Sequence, residues 1–331
     1  LRWSHDDKEN KGGINWGWAG DPTVPQVPLS PDVYPDPSNG FTISQRNTAK
    51  YTKSKPTWLL RLDADVSANG MVYASVSTGY KSGGTQDAGT LYKPESLTNY
   101  EVGSKFGFFD GHMTWNTAIY YEAFKNFQLS APIVYPDGNH GLGFSNVGGT
   151  TKVLGFESEL AYQQKDDRFN LIFSAIPKKK LGSLVYAGSN DYQGLPACPP
   201  ASNLANCMNV TGNDLPHAPD LSLTGIYEHT FHLGNGGSLT PRASAQYQSS
   251  QWLSYFNLGP GDKQKAYVRG DLSMRYSEPG DKWWVNGYVQ NVTDKKTRTS
   301  AARFLMADGS LQYVSQYLAP RTYGVQVGVW F

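Results

Sequence analysis

From one end of the chain to the other, apolar side chains recur at every second position, and the positions between them are polar and often charged. In TWLLRLDADV the apolar set is Trp58, Leu60, Leu62, Ala64 and Val66, against Arg61, Asp63 and Asp65. In NYEVGSKFGFF, Tyr100, Val102, Phe106 and Phe108 stand against Glu101, Gly103, Lys105 and Gly107. Met113, Trp115, Ile119 and Tyr121 oppose Thr114, Asn116, Tyr120 and Glu122, while Leu154, Phe156, Leu160 and Tyr162 oppose Glu157, Glu159 and Gln163. Further on, Val268, Leu272, Met274 and Tyr276 oppose Arg269, Asp271, Ser273 and Arg275. A period of two belongs to a strand, whose successive side chains point to opposite faces. The interior of a soluble sandwich cannot accommodate so many charges unpaired. Apolar-out and polar-in is instead the pattern of a large membrane barrel with a wet or domain-filled lumen.

Connection lengths test that reading independently, because a membrane barrel has short turns on one side and long loops on the other. Twelve strands are expected near 1–9, 48–66, 71–82, 98–109, 112–129, 151–164, 168–183, 218–232, 238–256, 265–278, 281–298 and 319–331. The short links SANG, DG, KDD, GNGG and EPGD each follow an even-numbered strand. The long links 10–47, 83–97, 130–150, 184–217 and 299–318 follow odd-numbered ones, and 257–264 is of middling length. The strands are long enough to cross a bilayer at a tilt, for which about 9–11 residues suffice, and no stretch approaches the ~18 consecutive apolar residues of a spanning helix.

The 331 residues carry a net charge of only +1 with acids and bases interspersed, so the basic footprint of a nucleic-acid binder is missing. Leu1 opens LRWSHDDKE, which already looks like a strand, with no leader or anchor ahead of it. The expectation is a C-terminal portion of a larger barrel.

Cys198 and Cys207 lie in CPPASNLANC, within a Pro/Asn/Ser-rich loop. A disulfide closing a small ring is expected there, which implies an oxidising compartment; two free thiols are the alternative. With no nearby His or second Cys pair, no metal site is expected. His5-Asp6-Asp7 has the residue types of a hydrolytic site, but neighbours on a strand face opposite ways and no Gly-x-Ser-x-Gly elbow exists. In EHTFH, His229 and His232 converge on a metal only if helical, and on a strand they diverge. The NVTG and NVTD tripeptide acceptor patterns, at 209 and 291, are uninformative in a bacterial context.

Four stretches, in order, carry a resemblance: GMVYASVSTGYKSGG (70–84), LYKPESLTNYEVGSKFGFFDGHMTWNTAIYYEAFKNFQLS (91–130), GYVQNVTDKKTRTS (287–300) and YGVQVGVWF (323–331). Together they resemble the C-terminal barrel half of a TonB-dependent outer-membrane receptor of the siderophore-receptor type. The resemblance implies an all-β fold, the last twelve strands of a 22-stranded transmembrane antiparallel barrel. By the same resemblance, the plug domain, the TonB box and the first ten strands are expected to lie outside the chain. It implies energised import of a scarce, bulky nutrient, a ferric siderophore first, with cobalamin, a carbohydrate or a plant aromatic as alternatives. A closed twelve-stranded outer-membrane hydrolase or autotransporter translocator is the reading from another class. The family implies no cofactor and no catalytic residue.

The implied partners are TonB through the plug, the outer-membrane insertion machinery through the C-terminal strand, lipid and lipopolysaccharide, and a small-molecule ligand. Trp16 and Trp18 of NWGWAGDP, and Trp252, Tyr255 and Phe256 of QWLSYFN, are candidate ligand contacts, because aromatics stack on flat ligands. Interfacial or loop-on-loop packing is the plainer role for each. Arg61, Glu101, Lys105, Glu157, Arg269 and Asp271 are candidate plug contacts, held by many weak ion pairs. In the terminal strand Tyr323, Val325, Val327, Val329 and Phe331 share one face, and by resemblance Tyr323 and Phe331 belong to the insertion signal. Loss of Phe331 is expected to lower the amount of barrel assembled rather than activity per assembled molecule. The 331 residues alone are not expected to insert.

Overall fold

A computed structural model describes residues 1–16, 42–86, 90–134, 140–187, 207–305 and 311–330, and they are built almost wholly of antiparallel strands. We number the long ones β1 Arg2–Trp16, β2 Thr42–Thr57, β3 Leu59–Ser67, β4 Gly70–Lys81, β5 Glu95–Phe108, β6 Met113–Lys125 and β7 Thr150–Gln164. They continue as β8 Asp167–Lys180, β9 Leu221–His229, β10 Ser238–Gln248, β11 Tyr267–Ser277, β12 Trp283–Gln290 and β13 Thr322–Val329. Strands β3 to β13 form one sheet in chain order, with Phe231–His232 added beside β10, and β1 pairs with β2 separately. This is the meander expected of a barrel wall.

The period-two pattern is realised as two distinct faces. One register row runs Phe108, Met113, Tyr162, Phe169, Tyr227, Ala243, Leu272, Val289, Tyr323, crossing nine consecutive strands with only apolar or aromatic side chains. Many side chains on this face are open, Leu272 at 48% and Val325 at 70% among them. Apolar area left in water on this scale is unfavourable by roughly 25 cal/mol per Å², so the face belongs against lipid. The opposite face includes the row Lys105, Asn116, Glu159, Ile172, Thr224, Gln246, Arg269. Ile172 is an apolar exception within it.

Turns at one end are tight. Phe109, Asp110 and Gly111 have φ of 52, 54 and 88°, Lys165 has 47°, and Gly280 and Asp281 have 99 and 55°. Left-handed residues reverse a right-twisted strand in few positions, which is why Asp, Asn and Gly gather there. At the other end the links are long and form their own two-stranded ribbons, including Gln128–Val134 with His140–Asn146 and Arg298–Leu305 with Leu311–Tyr317.

Several expected boundaries move. The strand expected at 48–66 is broken at Trp58: Thr42–Thr57 pairs with β1, and Leu59–Ser67 pairs with β4. The first strand runs on to Trp16, and the strand expected at 238–256 leaves the sheet after Gln248. The strand expected at 281–298 stops at Gln290, where Asn291 turns with φ 50°. At Trp58 one strand follows directly on the other, so alternation gives no warning there that the partner has changed.

Candidate functional site

Two surfaces carry polar chemistry: the rim made by the long links, and the polar face of the sheet. The rim has a small core of its own. Leu129, Val147, Leu181 and Val210 are buried, and Phe127, Leu184, Leu215, Tyr255, Phe256 and Leu258 pack against them. Tyr255 lies 4.2 Å from the Phe256 ring centre to centre, and its hydroxyl donates to the Ser130 carbonyl at 2.7 Å. Trp252 carries the Lys263 ammonium 4.9 Å above its ring. Trp252 and Tyr255 thus sit on one loop, Tyr255 engaged in loop packing. Trp18 lies outside the described residues, and of Trp16 only the backbone is described.

Amide side chains knit these loops together by bonding backbone that has left its ladder. Asn213 Nδ2 donates to the carbonyls of Tyr255 (2.9 Å) and Phe256 (3.1 Å), and the Asn257 carboxamide accepts from Asp214 N at 2.9 Å. Gln128 Nε2 reaches the carbonyls of Ser82 (2.9 Å) and Lys93 (3.0 Å). Burial pushes the Asp262 carboxyl up, while hydrogen bonds from Ser254 Oγ (2.6 Å) and Leu258 N (3.2 Å) pull the other way. Arg298 clamps the same turn from the next loop, donating to the carbonyls of Gly261 (2.7 Å), Pro260 (3.3 Å) and Lys263. Hydrogen bonds from a charged donor contribute about 1.5–3 kcal/mol, so Arg298→Ala should speed amide exchange in 249–266 by about tenfold or more. Hydrogen-exchange mass spectrometry reads this directly, and unchanged protection would show the clamp to be idle.

The polar face is flat because its aromatics lie on glycines. Tyr73 is paired in register with Gly103, Tyr120 with Gly155, Tyr288 with Gly324 and Trp284 with Gly328. A Cβ at Gly103 would stand 2.5 Å from the Tyr73 ring, and one at Gly324 would stand 2.6 Å from the Tyr288 hydroxyl. The rings cover backbone that glycine leaves bare. Guanidinium groups then cover two of the rings, Arg61 at 4.0 Å from Tyr73 and Arg275 at 4.5 Å from Trp284.

Arg61 also pairs with Asp63 at 2.7 Å, and the Tyr73 hydroxyl donates to Glu101 Oε1 at 2.7 Å, so Arg61 and Glu101 meet through one tyrosine. Glu157 stands across from Ala118 and Ser174 on the same face, and Lys105 across from Met71 and Asn116. Asp271 accepts from the backbone of Asn291 at 2.8 Å, and Arg269 Nη2 donates to the Ala319 carbonyl at 3.2 Å while its Nη1 is buried without a partner. A concavity of about 620 Å³ lined by Arg242, Arg269, Asp271, Gln246 and Tyr288 opens beside them. Carboxylates dominate this face on β3–β7 and guanidinium groups on β10–β11, which suits a polar occupant carrying both signs of charge.

Other sequence motifs are dispersed. His229 Nδ1 bonds Asp167 and His232 Nε2 bonds Asp166, each at 2.8 Å, so the two rings serve different carboxylates. Cys198 and Phe331 lie outside the described residues, and of Cys207 only the backbone, in a short pairing with Ala187, is described. Tyr323 is on the apolar face opposite Val289.

The wall, its lipid-facing row and its unequal ends define an outer-membrane β-barrel. Residues 1–292 match the family described as TonB dependent receptor-like, beta-barrel, and the chain belongs to that family of transport receptors. No curated protein matches the sequence. Among solved structures, it is similar to the ferric yersiniabactin uptake receptor FyuA from Yersinia pestis, at 19% identity and a TM-score of 0.65 over 87% of this chain and 39% of that one. It is similar also to the siderophore receptor PiuA from Acinetobacter baumannii, at 20% identity and a TM-score of 0.63 over 87% and 38%. For the ferric-catecholate import receptor Fiu from E. coli the figures are 16% and 0.59 over 98% and 40%. The chain therefore spans about two fifths of the length of these receptors.

Proposed function

We propose that residues 1–331 are the C-terminal barrel portion of an importer that draws energy through TonB and carries a ferric siderophore. The observation that carries this reading is the rim, where, among the described residues, aromatic side chains and amide-tethered loops pack together at the end of a polar, two-signed inner wall. A preorganised collar of aromatic and hydrogen-bonding groups captures a bulky, flat-sided ligand with little ordering cost. The solved receptors that the fold resembles are named for ferric or siderophore cargo, which favours iron over the other cargoes.

In this reading Trp16, Trp18, Trp252 and Tyr255 meet the ligand. Arg61, Glu101, Lys105, Glu157, Arg269 and Asp271 face the plug. Tyr323 and Phe331 are read by the insertion machinery. Uptake of radiolabelled ferric complexes under iron limitation, compared between parent and deletion strains, tests the proposal. Loss of uptake of at least one ferric siderophore supports it; unchanged uptake of every ferric complex, with loss of cobalamin or sugar uptake, replaces it. Cys198 and Cys207 are proposed to be joined, so a digest of exported protein without reductant should contain the linked peptide. Two alkylatable thiols would refute that bond.

A further inference from the structure

Charge is unevenly distributed around the polar face. On β5–β7 it includes Glu101, Glu122, Glu157 and Glu159 against Lys105. On β10 and β11 it includes Arg242, Arg269 and Arg275 against Asp271. Arg269 and Arg275 are six positions apart on one strand, about 20 Å at the rise of an extended chain, and Arg242 stands opposite Ser273 between them. The three arginines thus form a column along the wall. Its head, Arg269, is at the long-loop end, where its Nη2 donates to the Ala319 carbonyl at 3.2 Å. Its foot, Arg275, lies two residues before the end of β11 and the tight turn at Gly280 and Asp281.

Among the described residues none of the three pairs with a carboxylate. Glu228, opposite Arg242, is taken by Arg168 at 3.6 Å, and Asp271 is engaged by Asn291 N. Arg275 stacks on Trp284 and bonds Ser277 Oγ at 3.3 Å, which leaves its charge uncompensated. Between the arginines the 620 Å³ concavity is lined by Ser244, Gln246, Asn286, Gln290 and Gln326, which bond a ligand without adding charge. An anion in this lumen is repelled along β5–β7 and attracted along β10–β12. Cations in series in wet surroundings hold an anion firmly enough to admit it and weakly enough to release it to the next, which is what passage requires.

We propose that Arg269, Arg242 and Arg275, with the concavity beside them, form the track along which cargo descends the wall, and that the cargo is an anion. Its class is a ferric complex whose carboxylate or catecholate charge exceeds that of the iron. This narrows the importer reading, on which it rests, because a neutral or cationic ferric complex gains nothing from the column. Arg269 faces the plug at rest, and the track opens when the plug is drawn aside.

The test uses the full-length receptor, returned to its deletion strain, with radiolabelled ferric tris-catecholate and ferric citrate as anionic probes. A neutral ferric hydroxamate and a hydroxamate bearing a free ammonium are the comparison arms. Binding to de-energised cells reports capture at the rim, the initial rate in energised cells reports passage, and heat-modifiability confirms that each variant is assembled. Wild type should import at least one anionic probe and neither comparison complex. Arg242→Gln/Arg275→Gln should bind that probe like wild type and import it roughly fivefold more slowly or worse. Arg242→Lys/Arg275→Lys should recover most of the rate, and Arg242→Glu/Arg275→Glu should fall below the Gln variant. Arg242→Gln alone leaves the stack of Arg275 on Trp284 in place and should give an intermediate rate. Import of a neutral or cationic complex as fast as an anionic one, or an unchanged rate in the double Gln variant, overturns the track. Parent and deletion strains that take up every complex alike would instead withdraw the importer reading, and the track with it.

Discussion

Leu272→Arg, placed in the full-length receptor, is expected to reduce the heat-modifiable, membrane-inserted form by an order of magnitude or more, whereas Ser273→Arg should leave it close to wild type. The two residues are neighbours in the middle of β11, yet Leu272 belongs to the apolar row that crosses nine strands and Ser273 faces Arg242 and Tyr288 on the polar side. An arginine on the lipid face near the bilayer midplane costs about 2–4 kcal/mol, while lumenal substitutions chiefly adjust local charge. The comparison holds residue type and depth nearly constant and changes only the face. Equal loss in both variants would mean that the assignment of faces is wrong.

Asn291→Ala should be the most damaging single change at the strand ends. Asn291 is fully buried, and its carboxamide accepts from Lys295 N at 2.9 Å and donates to the carbonyls of Lys295 and Ala319 at 3.2 and 3.3 Å. Each buried backbone group left without a partner costs about 1–3 kcal/mol. The residue also has φ 50°, a region that asparagine tolerates and alanine resists. Asn291→Gly separates the two effects, because it keeps the conformation and loses the bonds. The expected order in urea unfolding of the detergent-solubilised receptor is wild type, then Gly, then Ala. An alanine variant as stable as wild type would show that solvent or a neighbouring group replaces the carboxamide.

The wall was legible in the sequence because its two solvents, lipid and lumen, impose opposite chemistry on alternate residues. The tight turns were legible for a related reason: DG and EPGD supply the left-handed residues that such reversals need. The rim was not. Trp252, Tyr255 and Phe256 stand out in the sequence as aromatics in a loop, but whether a ring meets ligand or its own loops depends on contacts with Ser130 and Leu129, more than a hundred residues away. The side chains that hold the rim together, Asn213, Asn257, Gln128 and Arg298, act on backbone carbonyls, which have no identity in a sequence. A cluster of amides among glycines and prolines was the available signal, and it names no partner. The glycine–aromatic pairs were likewise hidden, since Gly103 and Tyr73 are matched only once the strand register is known.

Those pairs give the inner wall an unusual texture. Most close-packed protein surfaces interlock, with knobs seated in holes, so that one can slide along another only by lifting out of every hole at once. Here Tyr73, Tyr120, Trp284 and Tyr288 lie down on the backbone, and the arginines above two of them present flat guanidinium planes. The relief of the wall is low, and any ion pair formed on so exposed a face would contribute only about 0.2–1 kcal/mol and be replaceable by water or by the next charge along. A polar body displaced along this wall therefore crosses many shallow barriers in turn, none deep enough to trap it. Such a surface behaves like a bearing, gripping by number of contacts while offering little friction to a pull.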